Sequence, residues 1–436
     1  MATGIFQWKH SQDDSKRSKK IGVMEHTYKY KMAHNLLVFL ALLFVLMTQG
    51  QGLDAYLEQA ETNNPEVQAF EGKYNISKEK VSEVNSLPNT EVSAGYFVSE
   101  PETRTGAQKA RFSIKQMLPW FGTITARENY AASLSEVDYL DIVITKRKLR
   151  LSVSESYYKL YGIKEKQKVL QENIELLKTY ETLALTSLEV GNASVVDILR
   201  LQIRQNELEE QKAVLGKEYT SEQTFFNKLM NRNGNAGIVV IDSLALFLQK
   251  EETKKTEISV HPELEKYDRL FESIQQLELL NQKDANPNLG FGLDYIPVAE
   301  RSDMVFSDNG KDIVMPMISL SIPIFNNGYK SKTIQNQMKL QIISAERLDR
   351  KNKLEALFNA AENNRESQRI KYNTQIENLN QARDAEEILI KNYETGTIDF
   401  NDVLDIQELQ LKFQMKQVEA ITNFYIQSAY VNYLSN

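Results

Sequence analysis

The chain has 436 residues, 25% of them charged, a formal net charge of -7 and a mean hydropathy of -0.44. Those values exclude a bundle of membrane helices, a disordered chain and a basic nucleic-acid-binding surface. The absence of cysteine excludes disulfides, thiolate metal sites, a cysteine nucleophile and a lipid-bearing N-terminal Cys. Because His10, His26 and His34 all precede the first apolar run, no multi-histidine metal site is available either.

That first run, Leu36 to Met47, is 12 uninterrupted apolar residues. At ~1.5 Å per residue it reaches roughly 18 Å, short of a ~30 Å hydrocarbon core. Lys29 and Lys31 precede it, and Gly50-Gln51-Gly52 follows after Thr48 and Gln49. Residues 1–52 therefore read as an N-terminal extension and signal peptide, cleaved after Gly50 or Gly52, with Met24 or Met32 as alternative starts.

The remainder of the chain is a duplication, residues 53–250 and 251–436. Asn64-Pro65-Glu66-Val67 returns as His261-Pro262-Glu263-Leu264, and Pro88 returns as Pro287. Pro119-Trp120-Phe121-Gly122 returns as Pro323-Ile324-Phe325-Asn326. Glu189-Val190-Gly191 with Asp197-Ile198-Leu199 returns as Glu394-Thr395-Gly396 with Asp402-Val403-Leu404. Each copy reads as a short helix opened by Pro, a β-hairpin (89–117 and 288–322), and long helices (123–233 and 328–435).

The strands alternate with period two. Val92, Ala94, Tyr96 and Val98 share one side of the first, and Phe112 and Ile114 alternate with Arg111, Ser113 and Lys115 in the second. In the third, Leu289, Phe291, Leu293 and Tyr295 alternate with Gly290, Gly292 and Asp294. Ile318, Leu320 and Ile322 alternate with Ser319 and Ser321 in the fourth. The pattern suits a half-buried sheet or a barrel wall. The helical stretches from Gly122 to Gly191 and from Gly328 to Gly396 contain no internal Pro and carry apolar residues at spacings of three and four. Some 67 helical residues extend roughly 100 Å, more than a compact domain needs and suited to a coiled coil or a wall across a wide space. Four strands cannot close a barrel, so a membrane location demands strands from other copies: eight in a dimer, twelve in a trimer.

The duplicated order of strand pair, Pro-Trp-Phe-Gly, long helix, Gly turn and Asp-Val/Ile-Leu resembles the TolC-like outer-membrane efflux family. Leu118-Pro119-Trp120-Phe121-Gly122 is similar to the heavy-metal efflux subgroup of CzcC/CusC type. The resemblance covers about Leu53 to Asn436. It implies a mainly α fold with a small membrane β part, a homotrimer whose 12-stranded β-barrel in the outer membrane of a Gram-negative bacterium continues into a periplasmic α-helical tunnel. It implies a passive exit duct of a tripartite pump for small molecules or metal ions. Its partners would be a periplasmic adaptor (membrane fusion) protein and an inner-membrane transporter of RND type, with no cofactor. The segment from Gly234 to Ser259 would belong to a belt around the tunnel.

No Ser/His/Asp set, Walker loop or glycine-rich nucleotide turn is present, and no enzyme is expected. Asp402 and Asp405, three apart on one helix face, would form a periplasmic entrance ring favouring cations; alternatively they are helix-start carboxylates held by the dipole. By resemblance Asp197 would accept a hydrogen bond from Tyr393 as a gate contact, against the plainer reading of another helix-start carboxylate. Gly191 and Gly396 are the turn glycines. Ile398 stands where the resemblance places a latching Arg, which questions a tightly latched resting state. Arg111 and Lys115 are expected to line a polar lumen, and Met315 and Met317 to pack in the wall rather than bind a soft metal. Two other functions fit the same pattern: the exit channel of a type I protein-secretion system, and an exported coiled-coil scaffold with no pore.

Overall fold

The computed structural model of the chain describes residues 52–189, 194–246, 260–303, 305–395 and 397–435. The expected signal segment before Gly52 and the turn glycines Gly191 and Gly396 lie outside the described residues. Two units are distinguished, Met1–Tyr56 and Leu57–Asn436. Of the first, the described part is residues 52–56, where helix α1 (Leu53–Asn63) begins. All the other elements belong to the second.

Helix α2 (Pro65–Val84) begins at Asn64, whose side chain accepts the Glu66 and Val67 amides. Pro65 at the first helical position loses nothing by lacking an N–H there. The strands β1 (Glu91–Tyr96) and β4 (Ala110–Leu118) form an antiparallel pair. A two-residue-per-strand hairpin, β2 (Glu102–Thr103) with β3 (Gly106–Ala107), sits in their connection. Gly122 has φ +81 and turns the chain from β4 into helix α3 (Thr123–Glu189), a conformation that disfavours any side chain. Helix α4 (Val195–Leu229) returns beside it.

The second copy repeats this order. Helix α5 (Pro262–Asp284) starts at His261, whose ring nitrogen accepts the Glu263 amide. Strands β5 (Asn288–Ile296) and β6 (Ile313–Ser321) pair antiparallel. Helices α6 (Gly328–Glu394) and α7 (Phe400–Ser435) complete the chain. Both α3 and α6 have 67 residues, roughly 100 Å each at ~1.5 Å per residue.

The two hairpins join through β4 and β5 into one antiparallel sheet of order β1-β4-β5-β6. Strand β6 begins at Ile313 and runs through Pro316, ahead of the alternation that starts at Ile318. Pro lacks a ladder N–H, but β6 is an edge strand, where that loss is tolerated.

The two copies are held together where α3 meets α7. A Cβ on Gly162 would stand 2.6 Å from Thr422 Oγ1 and 2.9 Å from its methyl. Glycine mid-helix costs about 1 kcal/mol relative to Ala, and here it permits the close approach of the two helices. The described part of the linker after α4 lies along the helices: Ile241 and Leu244 donate backbone N–H groups to the Tyr157 and Tyr161 hydroxyls, and the Tyr425 hydroxyl donates to Ala245 O at 2.7 Å.

Candidate functional site: a two-faced sheet and a packed helical tip

The register assigns every strand residue to a face. Val92, Ile114, Leu293 and Pro316 form one cross-strand row, and Ala94, Phe112, Tyr295 and Val314 form the next. Gln116, Phe291 and Ile318, then Leu118, Leu289 and Leu320, continue the same face. Phe112 and Tyr295 stack with centroids 6.4 Å apart. Apart from the half-buried Leu118 and Leu289, the large apolar residues here are exposed, from 41% for Tyr295 to 77% for Val92 and Ile318. A contiguous apolar surface of this extent marks a membrane or protein contact.

The opposite face is polar. Glu91, Lys115, Gly292 and Met317 are neighbours across the strands, as are Ser93, Ser113, Asp294 and Met315. The Arg111 guanidinium pairs with the fully buried Asp294 carboxylate, and its Nη2 lies 4.0 Å from Met317 Sδ. Arg111 and Lys115 thus share the polar face, as the alternation implied. Met315 and Met317 lie on that face too. The alternation marked Asp294 as polar but named no partner for it, because Arg111 lies 183 residues away.

The second candidate region is the tip where α3 meets α4 and α6 meets α7. A buried apolar cluster there joins Leu170, Ile174, Leu177 and Tyr180 of α3 with Ile198 and Leu201 of α4, and adds Tyr393, Phe400 and Val403. Phe400 anchors it, edge-on to Tyr180 at 6.1 Å and to Tyr393 at 4.9 Å. Beside it runs a ladder of buried polar groups. The Gln407 amide donates to Asn173 Oδ1 and the Asn173 amide donates to Gln414 Oε1, both at 2.8 Å. The Gln410 amide donates to Glu386 Oε2 at 2.8 Å, and the Tyr180 hydroxyl donates to the other oxygen of that carboxylate. Burial, then the bond to the Glu386 carboxylate, raises the Tyr180 pKa well beyond the usual phenol range. Partnered polar groups of this kind are what make a polar core tolerable.

The residues singled out in the sequence divide between the inside and the outside of this tip. Asp402 and Asp405 are exposed on α7, while Phe400 and Val403 point into the cluster. Asp197 is buried and closes a capping box: its Oδ2 accepts the Ser194 amide at 3.0 Å, and Ser194 Oγ accepts the Val196 amide. Tyr393 is buried, and its hydroxyl has no partner among the described residues. Within the single chain Asp197 Oδ2 is taken by the cap, and ring packing on Phe400 positions Tyr393. Ile398 packs against the cluster. The α4 and α7 starts are instead linked by Arg200, which donates to Asn401, and by Arg204, which lies 3.8 Å from Glu408. Sequence reasoning missed both cross-links, since a surface Arg opposite an Asn carries no signal along the chain.

No protein-family model matches the chain, and no curated protein matches its sequence. Solved structures do match. The chain is similar to the outer-membrane channel OprN, at 15% identity over 88% of this chain and 89% of that one, TM-score 0.71. It is similar to CusC, at 11% identity over 88% and 92%, TM-score 0.72. A third match is the outer-membrane protein VceC of Vibrio cholerae, at 14% identity over 88% and 96%, TM-score 0.70. The chain therefore has the fold of the TolC-like outer-membrane channels, the fold that the sequence resemblance implied.

Proposed function

We propose that the chain is a subunit of a passive outer-membrane efflux duct. The observation that carries this reading is the sheet: one face is apolar and uncovered, the other is polar, and both edge strands are open among the described residues. In hydrocarbon each unpaired backbone group costs several kcal/mol, so such a sheet needs neighbours at both edges. A homotrimer would complete a 12-stranded barrel, with Phe291, Ile318 and Leu320 toward lipid and Arg111, Asp294 and Lys115 toward the lumen. The helices would then line a periplasmic tunnel. Asp402 and Asp405, exposed on the α7 face away from the cluster, suit an entrance ring of carboxylates, which favours cations. Tyr393 and Asp197 sit at the same tip, with the Tyr393 hydroxyl available to a neighbouring subunit. A periplasmic adaptor and an inner-membrane transporter of the proton-driven RND type would supply cargo and energy.

Light scattering and planar-bilayer recording on detergent-purified protein test this. The expected result is a trimer forming discrete ion-conducting channels. A monomer without conductance would leave the pore-free scaffold.

A further inference from the structure

Both copies use the residue before the Pro of the short helix in the same double role. In the first, Asn64 Oδ1 caps α2 while Asn64 Nδ2 donates to Leu229 O, in the last turn of α4, at 2.9 Å. In the second, His261 Nδ1 accepts the Glu263 amide at 3.3 Å while Nε2 lies 3.2 Å from Tyr433 O, in the last turn of α7. Each side chain thus clamps the start of its short helix to the end of its return helix. An amide does this at any pH. An imidazole does it only in one neutral tautomer, with Nδ1 bare and Nε2 protonated.

We propose that the second copy carries an acid-released clamp: a proton on His261 Nδ1 breaks the α5 cap, leaving only the Nε2–H bond to Tyr433 O, while the Asn64 clamp of the first copy is indifferent to pH. His261 is 4% exposed and its ring packs edge-on to Tyr433 at 5.5 Å. The charged groups around it come from every neighbouring helix. Arg147 of α3 donates to the same Tyr433 carbonyl at 2.7 Å, and Lys148 of α3 lies 3.5 Å from Glu263. Arg350 of α6 pairs with Glu263, and the Tyr433 hydroxyl of α7 donates to Glu263 at 2.7 Å. A further cation beside Arg147 and Arg350 is opposed, and Glu263 only partly offsets it. Burial and then Arg147 accordingly hold the ring below its ordinary 6.5.

Because the folded-state pKa is depressed, the clamp's contribution is complete above about pH 6.5 and is lost as pH falls below it toward the folded value. Glu263, whose carboxyl burial raises but the Tyr433 hydroxyl and Arg350 bring below the ordinary 4.5, titrates outside that window.

Amide hydrogen exchange on the full-length protein in detergent, corrected for intrinsic rates, tests the clamp between about pH 7.5 and about pH 5.5. In the wild type the first turn of α5 should lose about tenfold in protection at the lower pH, the scale of one lost cap. The first turn of α2 should not change. His261→Asn should abolish the response, and Asn64→His should transfer it to the first turn of α2. An unchanged wild type, or the same response in His261→Asn, overturns the proposal. Should His261→Asn not assemble, nuclear magnetic resonance of ring-labelled histidine in the wild type decides instead. A neutral His261 protonated on Nε2 at about pH 7.5 supports the clamp; a charged ring or the Nδ1–H tautomer overturns it.

Discussion

The sheet and the helical tip handle their apolar residues in opposite ways. At the tip, Leu177, Leu201, Phe400 and Val403 turn inward and bury one another within a single chain. In the sheet, Val92, Phe291, Ile318 and Leu320 turn outward and stay exposed. The tip is a conventional core, stabilised by removal of apolar area from water at about 25 cal/mol per Å². The sheet gains little that way, because its apolar face is uncovered. One part of the molecule buries its apolar residues within the chain, and the other leaves them uncovered.

Substitutions should separate the two. The largest effect is expected for Phe400→Ala, which opens a cavity between Tyr180 and Tyr393 and should cost about 3–5 kcal/mol. Denaturant unfolding followed by a probe in the tip would measure it, and a loss below about 1 kcal/mol would mean the cluster is loosely packed.

Next is Leu320→Arg, expected to cost about 2–4 kcal/mol if that face meets mid-bilayer lipid, against little for Ser321→Arg on the other face. The readout is the yield of assembled protein in outer-membrane fractions. The reverse ranking would invert the two faces.

Ser194→Ala removes one half of a capping box and should cost about 1 kcal/mol, seen as a lower thermal midpoint.

Tyr393→Phe should leave stability unchanged or slightly raised, because the hydroxyl it removes has no partner among the described residues. If that hydroxyl bonds a neighbouring subunit, single-channel recording should show a higher open probability.

The smallest stability effect belongs to Asp402→Asn with Asp405→Asn, since both carboxylates are exposed. Reversal potentials under a salt gradient should lose cation preference. Unchanged selectivity in an assembled double variant would reduce these aspartates to helix-start residues.

Much of the architecture was legible in the chain. The absence of Pro from 123–189 and 328–394 permits long helices, and period-two alternation in 110–118 and 288–296 assigns the sheet faces. The hairpin at 102–107 was not legible, because two-residue strands leave no periodicity. The tip was legible only in part. Asn173, Glu386, Gln407 and Gln410 have the composition of a solvated helix surface, and only the meeting of α3, α6 and α7 brings them together.

Local patterning by itself determined the duplicated order of elements, the two-faced strands and the position of the helix starts. These rest on backbone sterics, on Pro and Gly at particular positions and on the side-chain periods of helix and strand, all of which act within a few residues. Tertiary structure alone decided that Arg111 pairs with Asp294, that Gln407 and Gln414 meet Asn173, and that His261 reaches the end of α7. Each of these is a competition among partners for one polar group, and its outcome depends on which helices and strands come within about 3 Å of one another.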